Sequence, residues 1–341
     1  MRNRQFGGSV RGLWSDLVPG VVYSESASEA PGNILGRISF ATGPAAPDLV
    51  DGAPHMTAHV ATWIDLVAEE IWRTTLPVRS GVVGDAVFAE DGEYLFYAAR
   101  LGPEPVYRAP VRELYESALR FAWEHGYTDL VRMWNFVGGI GGANAQGTGI
   151  YPDFCAGRAE ALAAWGEQFP GVPAADGIGT LTAGVDLCYL ATKPGRTIQV
   201  ETPPQPPARE NRWRREPQRR SRARATYLRE HGAGSLFVSG TAGLVGENAV
   251  HADDIARQTV QTLRDIDTLV GDYNLSRYGL DGDGYALRNM DQVKVYVRDS
   301  RHVPVVRDIC SLVFPADSEV VYFNVDVSRA DLLVEIEGVC R

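Results

Sequence analysis

Apolar and polar positions in the first half of the chain alternate in a way that predicts strands followed by a helix. Strand-like runs occupy residues 81–88 and 94–99, and the Asp91-Gly92 pair between them is typical of a hairpin turn. Helical spacing follows at residues 110–125, with a proline at its start and a glycine just after its end. An apolar run at residues 131–137 completes a predicted β-β-α-β unit with antiparallel hairpin strands.

The second half of the chain repeats this kind of order. A strand that contains a Gly-Thr-Ala-Gly bend comes first, and a predicted amphipathic helix capped by Asp253 follows it. The predicted elements are, in order, strand 235–244, helix 253–270, strand 292–298, helix 303–313, strand 319–327 and strand 332–337. Helices packed on one face of a mixed sheet account for such an order, so the sequence predicts an α+β fold.

The remaining segments carry weaker patterns. Residues 1–55 are rich in Gly, Pro, Ser and Ala and contain one short strand-like run at residues 36–40. Apolar residues at helical spacing predict a helix from Ala58 to Thr74. The other predicted elements are a glycine-rich loop at 138–149, a helix at 151–166, and strands at 181–191 and 197–200.

Two carboxylates interrupt the apolar strand predicted near the C-terminus, at residues 328–338. Strand alternation puts Glu335 and Glu337 on one face and Val334 and Ile336 on the other. An unpaired buried charge is costly, so either a cation lies opposite this face or one carboxyl group keeps its proton. A solvent-facing edge strand explains the same pattern equally well.

Composition narrows the possible functions. The formal net charge of −10 argues against a general nucleic-acid-binding protein. No apolar run reaches the ~18 residues of a membrane-spanning helix, and the first residues lack the apolar core of a secretory signal. We therefore expect a cytoplasmic protein with no membrane partner.

The cysteines and histidines give no sign of a metal site. The four cysteines, Cys155, Cys188, Cys310 and Cys340, are far apart in the sequence and are expected to be free thiols of a reducing compartment. The pair formed by His55 and His59 has the spacing of a helical metal site, but an obvious third ligand is missing. We interpret that pair as coincidental and predict no metal.

Two segments with biased composition invite functional interpretations. The glycine-rich loop at 138–149 lacks the Lys-Ser/Thr of a phosphate-binding loop, so we expect no nucleotide there. Residues 203–224 carry prolines and eight arginines. A solvated linker, an RNA-binding arm and a loop that folds over an anionic substrate all remain open for this segment.

Several blocks in the C-terminal part resemble the Rid (YjgF-like) family. The resemblance covers roughly residues 233–341 and rests on residues 237–242, 255–269, 293–298 and 333–337. Further blocks resemble the chorismatases, which are two-lobed relatives of that family, and extend the match from about residue 130 to the end. These blocks are Arg132-Met133-Trp134-Asn135, residues 151–158 (a Y-x-x-F-C-x-G-R motif), residues 177–179, residues 201–205 and residues 221–225.

The resemblance implies two Rid/YjgF-like lobes and a division into three parts. These are an N-terminal lobe with decorations at residues 1–200, an active-site loop or linker at 201–230 and a C-terminal Rid-like domain at 231–341. It also implies release of the enolpyruvyl group of chorismate as pyruvate, without metal or organic cofactor. Rid proteins are typically trimers, but a fused two-lobed chain satisfies part of that interface itself, so a monomer and a homotrimer are both compatible with the sequence.

Site residues follow from the resemblance, position by position. Glu335 matches the family's catalytic glutamate, and Arg158 and Arg224 match arginines that hold the two substrate carboxylates, for which an arginine fork is well suited. Arg298, at the end of its strand, is a third arginine candidate. Burial is expected to raise the pKa of Glu335 while the arginines lower it. The other substrate-binding candidates are Cys155, Arg209 and Gly240.

Departures from the family pattern concern the product. The residue seven positions before the glutamate is cysteine in 3-hydroxybenzoate formers and alanine in hydrolases that give a dihydroxycyclohexadiene carboxylate. Here it is Ser328, which we take as the second catalytic candidate beside Glu335. Gly240 resembles the 3-hydroxybenzoate side, whereas Arg209 and Arg222 stand where aromatic residues are expected. We expect a hydroxybenzoate, with a slight preference for the 4-isomer. A chorismate hydrolase, a Rid-type imine hydrolase and an amino analogue of chorismate as substrate are the alternatives.

Overall fold

Three β-sheets form the framework of the protein. The computed structural model describes residues 11–17, 34–62, 67–169, 171–203, 223–230, 234–245, 248–282 and 284–341. The helices in these ranges are α1 (Arg108–Glu124), α2 (Ile150–Ala164), α3 (Ile255–Val270), α4 (Asp272–Ser276) and α5 (Val303–Ser311). The strands are β1 (Arg11–Leu17), β2 (Ile34–Ala41), β3 (Ala45–Val50), β4 (Ala53–His59), β5 (Ala61–Thr62), β6 (Val67–Arg73), β7 (Arg79–Val83), β8 (Ala86–Glu90), β9 (Tyr94–Leu101), β10 (Asp129–Gly138), β11 (Ala174–Ala175), β12 (Ile178–Thr180), β13 (Val185–Thr192), β14 (Thr197–Val200), β15 (Ala225–Arg229), β16 (Gly234–Thr241), β17 (Leu244–Val245), β18 (Asn248–Ala249), β19 (Met290–Val297), β20 (Glu319–Asn324) and β21 (Val334–Cys340).

The first lobe consists of one mixed sheet with two helices on one face. Its strands lie in the order β11-β10-β13-β9-β8-β7, and β12 continues the parallel pairing of β11 with β10. Helices α1 and α2 pack on this sheet through an apolar cluster that includes Tyr115, Phe154 and Tyr189. Gly157 allows this packing, because a Cβ atom there would overlap the carbonyl oxygen of Arg108 on the facing helix.

The second lobe has the same layered construction. Its sheet has the order β14-β15-β16-β21-β19-β20-β5, and all neighbours are antiparallel except β19 and β20. Helices α3 and α5 cover one face through apolar side chains such as Ile266 and Val306. The α+β fold with helices on mixed sheets is therefore confirmed.

A third sheet fills the space between the two lobes. Its order is β1-β6-β2-β4-β3, with β2 and β4 parallel. Phe40 and Trp72 of this sheet share one apolar cluster with Trp134 of the first lobe and Phe237 of the second lobe. The helix-free faces of both lobe sheets thus meet in one central core.

Several sequence predictions are wrong in detail. Residues 58–74 form no helix where the structure describes them, because β4, β5 and β6 occupy that stretch, while Trp63 and Ile64 lie outside the described residues. Strand β6 is covered on both faces: Trp72 faces the central core, and Ile71 packs with Ile34 and Ala53. A strand buried on both sides lacks the polar alternation that marks strands in a sequence.

Element ends also differ from the predictions. The last strand begins at Val334, so Ser328 lies in the preceding loop and not in the strand. Helix α3 is capped by Asp254 instead of Asp253, since the Asp254 side chain accepts a hydrogen bond from the Arg257 N–H. The run at 81–88 is two strands, β7 and β8, which pair with each other.

His55 and His59 lie on strand β4 rather than on a helix. Four residues of a strand span roughly 13 Å, so the pair is too far apart to share a metal ion. His55 is 2.7 Å from Ser39 Oγ, and His59 is 2.6 Å from Thr182 Oγ1. Both histidines are therefore engaged in separate hydrogen bonds.

Candidate active site

Glu337 lies at the centre of a buried group of charges where the three sheets meet. Its carboxylate contacts Lys294, directly opposite on β19, and Arg132 on β10 of the first lobe. It also accepts a hydrogen bond of 2.9 Å from the Tyr296 hydroxyl. Lys294 reaches Glu70 of the middle sheet at 2.7 Å, so side chains of all three sheets are joined.

This arrangement assigns opposite protonation behaviour to the two glutamates of β21. Burial alone would raise the pKa of the Glu337 carboxyl, but Lys294 and Arg132 outweigh it and hold that pKa well below its usual range. Glu337 is therefore an anion whose charge is balanced within the protein. The predicted alternative of a solvent-facing edge is wrong, because Glu337 is only 2% exposed.

Glu335 lies on the same face of β21 but lacks such partners. Its Oε2 atom is buried and has no hydrogen-bond partner in the described part of the chain. Burial raises the pKa of this carboxyl to about 7, since the lowering by Arg224 and Arg132 only partly offsets it. A carboxyl group with a pKa near neutrality is suited to give up a proton during a reaction.

Gly240 on β16 is the backbone neighbour of the Glu335 carboxyl. The pairing of β16 with β21 shifts register between Val238 and Thr241, which gives the strand a local irregularity at this position. A Cβ atom on residue 240 would overlap Oε1 of Glu335 and lie 2.9 Å from Oδ1 of Asp176. The absence of a side chain is therefore what lets both carboxyl groups approach the strand.

Asp176 is a second acid of the site, in the turn between β11 and β12. Its carboxyl accepts the Gly240 N–H and contacts the Arg132 guanidinium. Its backbone oxygen accepts a hydrogen bond of 2.7 Å from the Asn135 side chain. The Arg132-Met133-Trp134-Asn135 block thus serves the site through two of its members, which lie on opposite faces of β10.

Arg158 enters from the first lobe, on helix α2. It is 4% exposed and lies near Tyr115, Cys155 and the ring of Phe154. It forms no ion pair with a carboxylate among the residues that the structure describes. A buried guanidinium without an anion is costly, and an anionic ligand at this position would remove that cost. Cys155 is half-buried one helical turn before it.

Arg224 comes from the other side, just before β15. Its backbone N–H donates to the Val200 carbonyl oxygen at 2.8 Å, so these two residues of the second lobe lie side by side. Burial raises the pKa of Glu335 and that of Asp265 on α3, and the charge of Arg224 partly offsets this rise in both. Arg209 and the rest of residues 204–222, including Arg222, lie outside the described residues.

Ser328 and Arg298 form a separate unit beside these acids. The Arg298 guanidinium donates to the carbonyl oxygens of Val327, at 3.1 Å, and of Arg329 and Ala330. These three carbonyls belong to residues on either side of Ser328 in the sequence. Val327 in turn bridges to Ile178, two residues beyond Asp176. Arg298 therefore fixes the loop that carries Ser328, and its donors already have protein acceptors.

The structure thus brings Glu335, Gly240 and Arg224 together, with Arg158 reaching the same region through Tyr115 and Asn135. Sequence reasoning missed Asp176, Glu70 and the pairing role of Lys294. A lone aspartate between two short strands has no distinguishing pattern. Lys294 did carry a signal, because it is one of only two lysines and lies within a strand of apolar residues.

Comparisons with known proteins identify the family to which this chain belongs. Residues 70–191 match the family model described as chorismatase FkbO/Hyg5-like, N-terminal. The chain is 38% identical to a 3-hydroxybenzoate synthase of Streptomyces hygroscopicus, covering 90% of this chain and 91% of the relative. It is also 38% identical to a chorismatase of Streptomyces rapamycinicus, covering 92% and 95%.

A solved structure extends the likeness to the whole fold. A crystal structure of a chorismatase superposes with a TM-score of 0.87 at 35% identity and covers 98% of this chain and 99% of the other. The chain belongs to the chorismatase family. None of the helices in the described ranges has the length and apolar character needed to cross a bilayer.

Proposed function

We propose that this protein cleaves the enolpyruvyl ether of chorismate and releases pyruvate and a hydroxybenzoate. The observation that carries the proposal is the Glu335 carboxyl, buried without a hydrogen-bond partner for Oε2 among the described residues and with a pKa of about 7. The names of the relatives and the family membership support the same activity.

The charges of the site suit the charges of chorismate. The substrate is a dianion with two carboxylates, and Arg158 and Arg224 approach from the two lobes. Arg158 supplies a buried cation that lacks a protein carboxylate in the described part of the chain. An arginine fork binds a carboxylate with two parallel hydrogen bonds, which fixes orientation as well as charge. Arg298 is a weaker candidate for this task, because it already donates to the Ser328 loop.

Glu335 acts as the general acid in this proposal. It gives its proton to the enolpyruvyl group, the bond between that group's ether oxygen and the ring breaks, and pyruvate leaves. The ring then loses a proton and becomes aromatic, which restores the proton to the site. Hydroxybenzoate and pyruvate together account for every atom of chorismate, so the net reaction consumes no water.

Three observations bear on which isomer is released. The 3-hydroxybenzoate synthase among the relatives and the glycine at position 240 favour the 3-isomer. Ser328 stands where a cysteine is expected in that subclass, and this difference favours 4-hydroxybenzoate as the product. A product with the C4 hydroxyl retained requires loss of the C3 side chain together with the C4 hydrogen.

Incubation of the purified protein with chorismate tests the proposal. Pyruvate is followed with lactate dehydrogenase, and the ring product is identified by chromatography against 3- and 4-hydroxybenzoate and the dihydroxycyclohexadiene carboxylate. We expect pyruvate and a hydroxybenzoate in equal amounts. Absence of pyruvate would exclude the proposed activity, and a dihydroxycyclohexadiene carboxylate formed in place of hydroxybenzoate would identify a hydrolase instead.

We also infer a reducing compartment such as the cytoplasm. Cys188, Cys310 and Cys340 are buried as free thiols, and Cys155 is a free thiol on α2. Burial raises the pKa of the Cys310 thiol to about 12, so it carries little reactive thiolate. Fractionation of the producing cells, followed by thiol counting on the purified protein, tests this inference.

A further inference from the structure

Asp176 is an acid whose carboxyl group is tied to both lobes. It is 2% exposed. Oδ1 accepts the Gly240 N–H from the second lobe, and Oδ2 contacts Arg132 of the first lobe. The Arg132 Nη2 atom that contacts Oδ2 also contacts Oε2 of Glu337. The carboxyl groups of Asp176 and Glu337 therefore lie next to each other on one guanidinium nitrogen.

The same carboxyl group lies beside Glu335. A Cβ atom on Gly240 would be less than 3.0 Å from oxygen atoms of both Asp176 and Glu335. Both acids thus rest against one backbone atom of β16. Any shift of the Asp176 side chain changes the space in which the Glu335 carboxyl sits.

Hydrogen bonds connect Asp176 with the first substrate arginine as well. Its backbone oxygen accepts from the Asn135 side chain at 2.7 Å, and Asn135 Oδ1 accepts from the Tyr115 hydroxyl. Tyr115 is in turn the hydrogen-bond neighbour of Arg158. The general acid and the buried arginine are therefore held by one continuous chain of contacts through Asp176.

Charge balance shows which form of Asp176 fits this position. The groups around it are the cations Arg132, Lys294 and Arg224, the acids Glu335, Glu337 and Glu70, and Tyr296. Arg132 is the cation that contacts Asp176, and Glu337 shares the same guanidinium nitrogen, so an ionised Asp176 would place a second buried anion on a cation that Glu337 already uses. Burial and the neighbouring glutamates raise the pKa of Asp176 well above its ordinary value.

We propose that Asp176 is a positioning residue for Glu335, and that it works as a protonated carboxyl group that accepts a hydrogen bond from the Gly240 N–H and donates a hydrogen bond to the Glu337 carboxylate. This inference rests on the proposed function, in which Glu335 is the general acid. Asp176 acts by holding the reacting group in place beside a neutral neighbour. Its own proton stays on the protein throughout the reaction.

The Asn and Ala variants of Asp176 distinguish a neutral positioning residue from an ionised carboxylate at this position. Asparagine accepts from Gly240 and donates to Glu337 as the protonated acid does, so Asp176→Asn should keep kcat within about threefold and leave the pH midpoint of kcat/KM unchanged. Asp176→Ala removes both contacts and should lower kcat at least about tenfold with KM near the wild-type value. Asp186→Asn, a buried acid paired with Arg100, is the matched control with wild-type kinetics.

Two results would overturn the inference. A fall of the midpoint by about one pH unit in Asp176→Asn would mean that the wild-type side chain carries a charge near Glu335. Unchanged kcat in a folded Asp176→Ala variant would remove the positioning role. If the alanine variant does not fold, the asparagine midpoint alone decides.

Infrared spectroscopy of the substrate-free protein keeps this test independent of the proposed function. The wild type should retain a protonated-carboxyl band at pH values well above 7, and Asp176→Asn should lose it. Glu335→Gln should instead lose a band that titrates near 7. Persistence of the high-pH band in Asp176→Asn contradicts the inference, whereas absence of pyruvate from the wild type contradicts only the proposed activity.

Discussion

Gly240 and Glu335 are in such close contact that position 240 has no room for a side chain. The Gly240 Cα lies against the carboxyl group, and any Cβ there would overlap Oε1 of Glu335. The Glu335 carboxyl group cannot move toward Glu337, because Lys294 and Arg132 hold the Glu337 carboxylate in place. The main chain of β16 therefore sets the position of the proposed acid.

A methyl group at position 240 should displace this acid. Gly240→Ala is expected to lower kcat at least about tenfold and to change the ratio of ring products, because the carboxyl is moved relative to the ether. Pyruvate kinetics and product chromatography measure both effects. Gly102→Ala, which adds a methyl group where nothing lies within 4 Å, is the control, and equal behaviour of the two variants would contradict the prediction.

Replacement of Glu335 by glutamine, which has no acidic proton to give, should strongly lower turnover and should stabilise the fold at neutral pH. We expect Glu335→Gln to lose about 10²–10⁴-fold in kcat and to keep substrate affinity by calorimetry. The wild-type kcat/KM should fall as pH rises through about 7, because the acid must be protonated. Full activity of the glutamine variant would disprove the assignment.

The stability effect has a definite sign. The folded-state pKa of Glu335, about 7, exceeds the ordinary 4.5, so the folded state holds this proton more tightly than the unfolded state. Wild-type stability therefore falls as pH rises from 4.5 through 7, by roughly 3 kcal/mol for this group. Glu335→Gln lacks that loss, and urea unfolding at pH 5 and pH 8 should show the difference between the two proteins narrowing at pH 5.

Glu337 should contribute to folding rather than to the chemical step. Glu337→Gln leaves Lys294 and Arg132 without their shared anion, and removal of one partner of a buried ion pair costs about 3–5 kcal/mol. Urea denaturation measures the loss. Glu116→Gln, in an exposed pair with Arg112, should change stability by at most about 0.5 kcal/mol. A small effect at Glu337 would show that the network is not required for stability.

The two substrate arginines should affect binding more than turnover. Arg158→Ala and Arg224→Ala are each expected to raise KM about tenfold or more, since each removes a charged hydrogen-bond donor to a substrate carboxylate. Arg257→Ala, at an exposed position on α3, serves as the control. An unchanged KM in either variant removes that arginine from the proposed binding site.

Ser328 and Arg298 should govern which product forms. Ser328→Cys and Ser328→Ala are expected to alter the ratio of ring products, because the neighbouring Val327 bridges to Ile178, two residues beyond Asp176. Arg298→Gln removes the hydrogen bonds from the guanidinium to the carbonyl oxygens of residues 327, 329 and 330. This change should shift the same ratio. Chromatography of the products measures both changes, and an unaltered ratio in all three variants would show that this loop does not direct the reaction.

The sequence by itself determined the α+β class, most helices and strands, and the face shared by Glu335 and Glu337. These features depend on local periodicity and on which side chains a strand presents to each face. The family resemblance added Arg158, Arg224 and Gly240. Strand β6 could not be recognised from the sequence. Ile71 and Trp72 are buried on opposite faces, so the strand lacks the alternation of apolar and polar residues that marks a strand with one exposed face.

Only the tertiary structure decided how the two glutamates differ. The neighbouring residues in the sequence do not distinguish Glu335 from Glu337, whereas in the structure Lys294, Arg132 and Tyr296 all contact the Glu337 carboxylate. Asp176 likewise becomes part of the site only when its turn meets Gly240 of the other lobe. Protonation depends on charges and burial brought together over long sequence separations, and a linear pattern does not record these contacts.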